Sequence, residues 1–328
     1  MSRRALVTGA TGGLGLALTA ALLALGYSVR ATGRSLSAIE RLKAMGAEAA
    51  PGDLLDLDLA ALCEGQEVVF HAAALSSPWG PEATFRRINV EATRRLVEAA
   101  RRAGCDAFVF VSSPSIYAAF HDQIGLTEAM APPERALNAY ARTKMLAEAH
   151  VLAADSAGFR TVAVRPRALV GPDDTVLLPR ILKLVRRGVL PVFRGGVAQV
   201  DLTDVRDAAQ ALVLADQRRA VVGGRAVNIS GGRPVGVLDL AQRLAETVGV
   251  RPRLVPAPMG LMRAAAVASE AICAVLPGQP EPSLTSYTLA TLAYSQTFDL
   301  SFARTALGYA PRHDPVATAL ALAPGMAA

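Results

Sequence analysis

The chain has 328 residues, of which 52% are hydrophobic and 19% are charged, which excludes an intrinsically disordered protein and predicts a large buried core. Aromatic residues make up only 5%, and no nucleic-acid motif stands out beyond scattered arginines, so we expect no nucleic-acid partner. The net charge of +6 comes mostly from arginines on predicted helices, which is typical of solvated helix faces.

The three cysteines, Cys63, Cys105 and Cys273, are too few and too widely spaced for a disulfide scaffold or a CxxC metal site. We therefore expect no bound metal and a reducing, cytoplasmic setting. The first residues lead directly into a predicted strand, without the apolar region of a signal peptide.

Strand-like and helix-like segments alternate from the start of the chain. The predicted strands of the first half are, in order, 4–8, 28–32, 68–73, 108–113 and 161–165, and the predicted helices are 14–25, 88–103 and 140–154. The continuous apolar runs among them are typical of strands buried on both faces. This alternation predicts an α/β fold with a doubly wound parallel sheet of the Rossmann type.

The alternation loosens after residue 171, where predicted helices at 177–187 and 205–216 are separated by short strands such as 226–229. We predict a dinucleotide-binding Rossmann domain over residues 1–170, completed by a further strand from the later chain. Residues 171–328 are predicted to form mainly a smaller, substrate-binding lobe.

The most apolar late segment spans residues 257–276 and contains Arg263 and Glu270, seven residues apart. Side chains at that spacing lie near one face of a helix. The pattern predicts an amphipathic helix rather than a membrane span and leaves a peripheral membrane contact open.

Gly9, Gly12 and Gly15 lie between the first predicted strand and the first predicted helix. Glycines there permit a tight turn and let the backbone approach a pyrophosphate, while the helix N-terminus adds free N–H groups. The sequence therefore predicts a dinucleotide-binding turn. Its predicted contact residues are Gly9, Thr11, Gly12, Gly13, Leu14 and Gly15.

The end of the second predicted strand carries no acid. An NAD site usually has a carboxylate there for the ribose 2′-hydroxyl, whereas this chain has Gly33 followed by Arg34. An arginine suits a 2′-phosphate, so we predict NADP(H) rather than NAD(H), the alternative being that Arg34 points to solvent. Asp53 and Leu54 are predicted on the adenine side, and Asp53 could equally cap the next helix.

Tyr140 and Lys144 are four residues apart and share one helix face. A lysine ammonium near a tyrosine favours the phenolate, so we expect Lys144 to lower the Tyr140 pKa and make the phenol an acid/base group. Ser112 and Ser113 end a predicted strand, where ligands bind in parallel sheets. Either hydroxyl could polarise a carbonyl or cap the following turn.

Taken together, these motifs resemble the extended short-chain dehydrogenase/reductase superfamily, NAD-dependent epimerase/dehydratase-like. The resemblance rests on segments 8–15, 71–74, 89–90, 111–113, 140–144 and 165–172. It implies a catalytic triad of Ser113, Tyr140 and Lys144, with Asn89 in a proton relay. It further implies cofactor contacts from Ala72, Ala73, Ala74, Tyr140, Lys144 and Pro166.

Within that superfamily the chain is most similar to the 3β-hydroxysteroid dehydrogenase-like branch and to bacterial 2-alkyl-3-oxoalkanoate reductases. The supporting segments are 74–80, 113–117, 201–205 and 284–311. Two departures stand out: Gly33 and Arg34 replace the acid of the steroid enzymes, and Ser286 stands where the branch often has arginine.

The resemblance implies an NADPH-dependent oxidoreductase that interconverts a lipophilic ketone, a β-keto acid or a steroid-like compound, and its secondary alcohol, with Tyr140 as acid/base. The predicted pocket wall comprises Trp79, Phe85, Ile116, Tyr117, Phe120, Leu169 and Val170. The alternatives are an NAD-dependent 3β-hydroxysteroid dehydrogenase and a sugar-nucleotide epimerase or dehydratase that uses Arg180 and Arg206 for a diphosphate. A non-catalytic nucleotide sensor is the remaining alternative, and a homodimer stays open.

Overall fold

The computed structural model describes residues 2–326. Its strands, in chain order, are β1 (Arg4–Thr8), β2 (Ser28–Gly33), β3 (Glu48–Pro51), β4 (Val68–His71), β5 (Ala107–Val111), β6 (Gln123–Leu126), β7 (Arg160–Pro166), β8 (Leu169–Val170), β9 (Val189–Phe193), β10 (Gln199–Val200), β11 (Thr203–Asp204), β12 (Arg225–Ile229), β13 (Val235–Gly236), β14 (Arg253–Ala257) and β15 (Gln296–Phe298). Its α-helices are α1 (Gly13–Ala24), α2 (Leu36–Ala44), α3 (Leu59–Cys63), α4 (Glu82–Phe85), α5 (Ala92–Arg102), α6 (Ala139–Ala153), α7 (Leu177–Arg186), α8 (Val205–Gln217), α9 (Arg219–Val222), α10 (Val237–Thr247), α11 (Met259–Val275), α12 (Ser286–Ala293) and α13 (Pro315–Leu322).

Seven strands form the main sheet in the order β12-β7-β5-β4-β1-β2-β3. Every neighbouring pair in it is parallel, and the strand order reverses between β1 and β4. This arrangement confirms the predicted doubly wound Rossmann fold. Ligands of such sheets bind in the crevice at the carboxyl ends of the strands, where the order reverses.

Both faces of the sheet are covered, which explains why residues 68–70 of β4 and all of β5 are apolar. One face packs against α1 and α8 through residues such as Leu18 and Leu212. The other packs against α3, α5 and α6 through residues such as Leu96 and Val151. Burying each such side chain contributes about 1.5–3 kcal/mol, so these two layers hold the site's scaffold rigid.

The later part of the chain contributes to two parts of the fold. Its strand β12 extends the main sheet beside β7, with Val227 opposite Val164. The remaining strands build a lobe with one four-stranded sheet, β13-β10-β15-β6, and the strand pairs β11-β8 and β14-β9. Because β6 comes from residues 123–126, the first half of the chain also contributes to the lobe.

Helix α11 covers the late apolar segment but buries only Ala266. Its charged residues face the lobe: Arg263 stacks 4.5 Å from the Phe120 ring centre, and Glu270 accepts hydrogen bonds from Ser286. The side chains left exposed are apolar and include Leu261, Val267, Ile272 and Val275. None of the helices within residues 2–326 is long and apolar enough to cross a membrane. A peripheral membrane contact and a homodimer stay predictions.

Candidate active site

The turn between β1 and α1 fits a pyrophosphate. Gly9 has φ +67°, and a Cβ there would stand 2.5 Å from the Ala73 backbone nitrogen, so only glycine lets the turn lie against the segment after β4. Helix α1 begins after Gly12 and has no side-chain cap. Its first N–H groups therefore remain available for an anion.

A loop from the lobe lies over this turn. The carbonyl oxygens of Pro172 and Asp173 both stand 3.1 Å from where a Cβ of Gly13 would be. The Asp173 carboxylate accepts two hydrogen bonds from Arg41 on α2, at 2.8 and 3.1 Å. We call residues 171–174 the strap, because this ion pair ties them across the predicted phosphate site. The sequence analysis missed it.

The end of β2 is shaped by Gly33 and Arg34. A Cβ on Gly33 would stand 2.6 Å from Thr11 Cγ2, so a side chain at this position would have to displace Thr11. The Arg34 side chain is 72% exposed and lies 3.5 Å from Asp53 Oδ2. Asp53 also accepts the Leu55 N–H at 3.0 Å, which caps its own turn rather than the following helix. The Leu54 side chain packs in the core and leaves only its backbone for a nucleotide.

His71, the last residue of β4, is buried between two threonines. Its Nδ1 lies 2.6 Å from Thr8 Oγ1 and its Nε2 lies 2.8 Å from Thr93 Oγ1, which donates in turn to the Asn89 carbonyl. Burial, reinforced by Lys144, lowers the His71 pKa to about 3, so the ring is neutral. It links β1 to the helical segment that carries Asn89.

Asn89 is buried in a π-helical segment, Arg86–Glu91, which joins α4 to α5. Its Oδ1 accepts the Leu75 N–H at 2.8 Å, and its Nδ2 donates to the Leu75 carbonyl at 3.2 Å and to Thr143 Oγ1 at 3.1 Å. These bonds hold the segment after β4 against α6. The Asn89 side-chain amide is thus hydrogen-bonded to Leu75 and Thr143. None of the hydrogen bonds formed within residues 2–326 joins it to Lys144.

Tyr140 lies in the first turn of α6, which Asn138 caps by accepting the Ala141 N–H at 2.8 Å. Burial raises the Tyr140 pKa, and hydrogen bonding by Ser113 and Ser76 opposes that shift without cancelling it. The phenol is therefore protonated at neutral pH and faces two hydroxyl groups. Ser113 and Ser76 both act on the Tyr140 pKa, and Ser76 was not among the predicted site residues; the catalytic pairing of Ser113 with Tyr140 stays a prediction.

Lys144 is buried one turn along α6 from Tyr140. Its Nζ donates to the Val111 carbonyl and lies 4.2 Å from the Phe110 ring centre. Burial lowers its pKa to about 7, against an opposing effect of Glu148. The expectation that Lys144 lowers the Tyr140 pKa was wrong for this arrangement, because the burial of the phenol raises that pKa.

The hydroxyl groups of Ser112 and Ser113 have different environments. Ser113 Oγ accepts the Ser115 N–H at 3.2 Å, which caps the short 3₁₀ turn after β5, and it also interacts with the Tyr140 phenol. Ser112 Oγ is buried without a hydrogen-bond partner among residues 2–326. Of the two hydroxyls, that of Ser113 is the one that acts on Tyr140, and its catalytic role stays a prediction.

Much of the predicted pocket wall is buried in the core of the fold instead. Of the seven proposed wall residues, four are buried in the fold: Phe85, Ile116, Tyr117 and Val170. The Tyr117 hydroxyl accepts a hydrogen bond from Arg165, whose guanidinium pairs with the buried Glu148, so an ion pair rather than a substrate satisfies this ring. Leu169 stays half-buried.

Two aromatic wall residues also remain half-buried. Trp79 Nε1 donates to the Gln279 carbonyl at 3.1 Å, and Phe120 meets Tyr294 edge-on at 6.0 Å. Both therefore join the segment around the site to the lobe. They keep apolar surface that can line a pocket.

Arg167 and Tyr287 were not among the predicted catalytic or cofactor-binding residues. Arg167 follows Pro166 at the end of β7 and is 8% exposed. Tyr287, on α12, acts on the pKa values of both Arg167 and Tyr140. Tyr287 lies in the tail motif quoted for the resemblance, which was the signal available for it.

The two arginines of the diphosphate alternative are already paired. Arg180 bonds to Glu281 at 2.7 and 3.2 Å. Arg206 bonds to the Asp204 carboxylate at 2.8 and 2.7 Å. Neither guanidinium is free of a carboxylate partner.

The comparisons with known proteins agree with this geometry. A family model described as "NAD dependent epimerase/dehydratase family" matches residues 5–230. The chain belongs to this family. It is accordingly an NAD(P)-dependent enzyme of the short-chain dehydrogenase/reductase superfamily, as the motifs predicted.

Named relatives span nearly the whole chain. A 2-alkyl-3-oxoalkanoate reductase of Stenotrophomonas maltophilia is 34% identical over 317 residues, covering 94% of both chains. A 4-hydroxy-2-methyl-3-oxo-4-farnesyl-3,4-dihydroquinoline-1-oxide ketoreductase of Stigmatella aurantiaca is 34% identical over 310 residues, covering 94% of this chain and 92% of that one. The solved structure of MoeE5 with UDP-glucuronic acid and NAD superposes with a TM-score of 0.74 at 27% identity, covering 97% and 98% of the two chains.

Proposed function

We propose that this enzyme uses NADPH to reduce a lipophilic ketone to its secondary alcohol, with Tyr140 as the proton donor. The observation that carries the proposal is the protonated Tyr140 phenol beside Ser113, at the carboxyl edge of the parallel sheet. An acid whose pKa lies above neutral pH holds the proton that a reduced carbonyl oxygen requires.

The residues present fit a dinucleotide. The Gly9–Ala73 approach and the uncapped start of α1 suit its pyrophosphate, and Pro166 lies at the sheet edge where its nicotinamide would be held. When bound, the nicotinamide supplies the hydride. Tyr140 gives its proton to the carbonyl oxygen, and Ser113 donates a hydrogen bond to the same atom. Lys144, with a pKa of about 7, can exchange protons near neutral pH one helical turn away.

The preference for NADPH rests on the end of β2. Thr11 fills the space that a carboxylate at position 33 would need, and the Arg34 guanidinium is largely exposed beside Asp53. A 2′-phosphate would offer Arg34 a stronger, bidentate partner than a hydroxyl does. These contacts support NADP(H) over NAD(H).

A lipophilic substrate is supported by two observations. The half-buried Trp79 and Phe120 supply apolar surface around the site, while Arg180 and Arg206 are held by carboxylates and suit a sugar diphosphate poorly. The names of the two relatives above, a 3-oxoalkanoate reductase and a farnesyl-quinoline ketoreductase, agree with such a ketone.

The test combines nucleotide binding with turnover. Fluorescence titration should show tighter binding of NADPH than of NADH, and Arg34→Ala should remove that difference. With methyl 3-oxodecanoate as the ketone, Tyr140→Phe should lower kcat by about 100- to 10,000-fold and leave NADPH affinity unchanged. Tyr27→Phe, which loses only a bond to Asp216 far from the site, is the matched control. Near-normal turnover of Tyr140→Phe, or equal affinity for both nucleotides, would contradict the proposal.

A further inference from the structure

Helix α11 presents an apolar face to solvent. The helix has 17 residues, and Arg263 and Glu270 are the charged ones among them. The side chains of Leu261, Ile272 and Val275 are 67%, 59% and 83% exposed. Monomeric soluble proteins rarely leave a contiguous apolar surface of this kind uncovered, so the outer face of α11 marks a contact with an apolar partner.

The inner face of α11 is fixed against the lobe, and both charged side chains point there. The Arg263 guanidinium lies 4.5 Å from the Phe120 ring centre, and Glu270 accepts the N–H and the hydroxyl of Ser286 at 2.7 and 2.8 Å. Residues three and four apart share a helix face. At those spacings the outer face is formed by exposed side chains alone, namely Leu261, Ala264, Ala265, Ala268, Ile272 and Val275.

The apolar surface extends beyond α11 onto β14, which Pro258 joins to the helix. Leu254 and Val255 of β14 are exposed, and so is Val189 on the paired strand β9, directly opposite Arg253. Seven of the 17 large apolar side chains exposed within residues 2–326 lie between residues 254 and 276. This clustering indicates one continuous contact surface. We call the exposed side chains of residues 254–276 the α11 surface.

The free charges at the α11 surface are all positive. Arg251, Arg253 and Arg263 are exposed, and none of the ion pairs formed within residues 2–326 includes them. The two carboxylates of residues 251–283, Glu270 and Glu281, already bind other residues. A second copy of this surface would therefore offer the arginines no free carboxylate, whereas an anionic lipid headgroup offers a phosphate.

We propose that the α11 surface docks on a lipid bilayer that contains anionic lipids. The apolar side chains enter the boundary between the headgroups and the acyl chains, and the three arginines bind the lipid phosphates. An interfacial helix gains affinity from both contributions, the buried apolar area and the attraction to anionic lipids. The inference goes beyond the proposed function and does not depend on it, because vesicle binding requires no turnover.

The first experiment measures co-sedimentation of the full chain with lipid vesicles. Vesicles of phosphatidylglycerol and phosphatidylcholine in equal parts are compared with vesicles of phosphatidylcholine alone. We expect the wild type to bind the anionic vesicles and added salt to weaken that binding. The combined variant Leu261→Gln, Ile272→Gln and Val275→Gln should lower the partition coefficient by at least about tenfold, because it removes the apolar contribution. Glutamine preserves the net charge and suits an exposed helix.

A pair of arginine variants tests the electrostatic contribution. Arg251→Gln combined with Arg253→Gln should weaken binding to the anionic vesicles by up to about 25-fold, since each arginine near an anionic surface contributes about fivefold. Arg101→Gln combined with Arg102→Gln makes the same change of net charge on exposed positions of α5 and should weaken binding by less than about threefold.

The matched control for the apolar variant replaces three comparably exposed side chains elsewhere, Leu25→Gln, Leu36→Gln and Ile124→Gln, and should bind like the wild type. A wild type that leaves the anionic vesicles unbound overturns the proposal. Unchanged binding by the apolar variant overturns it as well. If the wild type ignores the vesicles and sediments as a dimer that the apolar variant loses, the α11 surface pairs two copies of the chain, which also contradicts the proposal.

A second experiment locates the helix without weakening its binding. Ile272→Trp and Leu25→Trp each add one tryptophan to the native Trp79, and the anionic vesicles carry phosphatidylcholine brominated on its acyl chains. The emission added by Ile272→Trp should be quenched, whereas the emission added by Leu25→Trp, just before β2, should not. Equal emission with brominated and ordinary vesicles for Ile272→Trp, or equal quenching of the two variants, refutes docking through the α11 surface.

Discussion

The side chain of Thr11 occupies the space that a carboxylate on Gly33 would need. A Cβ at Gly33 would lie 2.6 Å from Thr11 Cγ2, well inside contact distance, and both residues sit at the mouth of the dinucleotide crevice. The absence of an acid after β2 is therefore a matter of packing as well as of charge.

We predict that Gly33→Asp alone does not create an NADH-binding enzyme. The new side chain must displace Thr11, so binding of both NADPH and NADH should weaken, and overpacking should cost about 1–3 kcal/mol of stability. Thr11→Gly with Gly33→Asp should instead shift the preference towards NADH. Fluorescence titration with both nucleotides checks this; tighter NADH binding by the single variant would refute it.

We predict that the strap slows nucleotide release. The Arg41–Asp173 pair is exposed and screened by solvent, so Arg41→Ala should speed NADPH dissociation by up to about fivefold with little change in unfolding. Stopped-flow displacement measures the rate. Lys43→Ala, which breaks the Lys43–Glu40 pair on the same helix, is the control and should leave the rate unchanged.

Removal of the Asn89 amide should destabilise the protein and lower turnover together. Asn89→Ala leaves the N–H and C=O of Leu75 without their partner, at about 1–3 kcal/mol for each group left unsatisfied, whereas the Thr143 hydroxyl keeps its bonds to the main chain of α6. Asn89→Asp keeps the acceptor for the Leu75 N–H and should lose less stability. Urea unfolding and kcat are the measurements, and a variant as stable as the wild type would show that the Leu75 segment is held by other contacts.

Acid should destabilise the fold through His71. Its folded pKa is about 3, below the unfolded value of about 6.5, so the unfolded chain binds a proton that the folded chain does not. The stability present above pH 6.5 is therefore lost progressively as the pH falls towards 3. Urea unfolding between pH 7 and pH 4 should show a shallower decline for His71→Gln than for the wild type. His150→Gln, on an exposed helix position, should follow the wild type.

The sheet and the phosphate turn could be predicted because local signals determine them. Parallel strands buried on both faces are largely apolar, as residues 68–70 of β4 and all of β5 are, and the turn requires glycine where the backbone passes Ala73. The spacing of Tyr140 and Lys144 likewise places them on one helix face.

The environment of those side chains could not be predicted, because distant segments create it. The sequence predicted that Tyr117 lines a substrate pocket, whereas its hydroxyl accepts a hydrogen bond from Arg165, which in turn pairs with the buried Glu148. The strap depends on Arg41 meeting Asp173, 132 residues further along the chain. The raised pKa of Tyr140 reflects its burial and the electrostatic effect of Tyr287, 147 residues further along the chain, which no local pattern encodes.

Strand β12 has a consequence for how the protein is made. It lies at the edge of the main sheet and is contributed by residues 225–229, after residues 171–224 of the lobe have been translated. A nascent chain that has emerged only as far as β7 exposes that strand's unpaired edge, which is a template for association with other chains. Residues 1–170 expressed by themselves should therefore be prone to aggregation, and productive folding on the ribosome has to wait until residue 229 has left the exit tunnel.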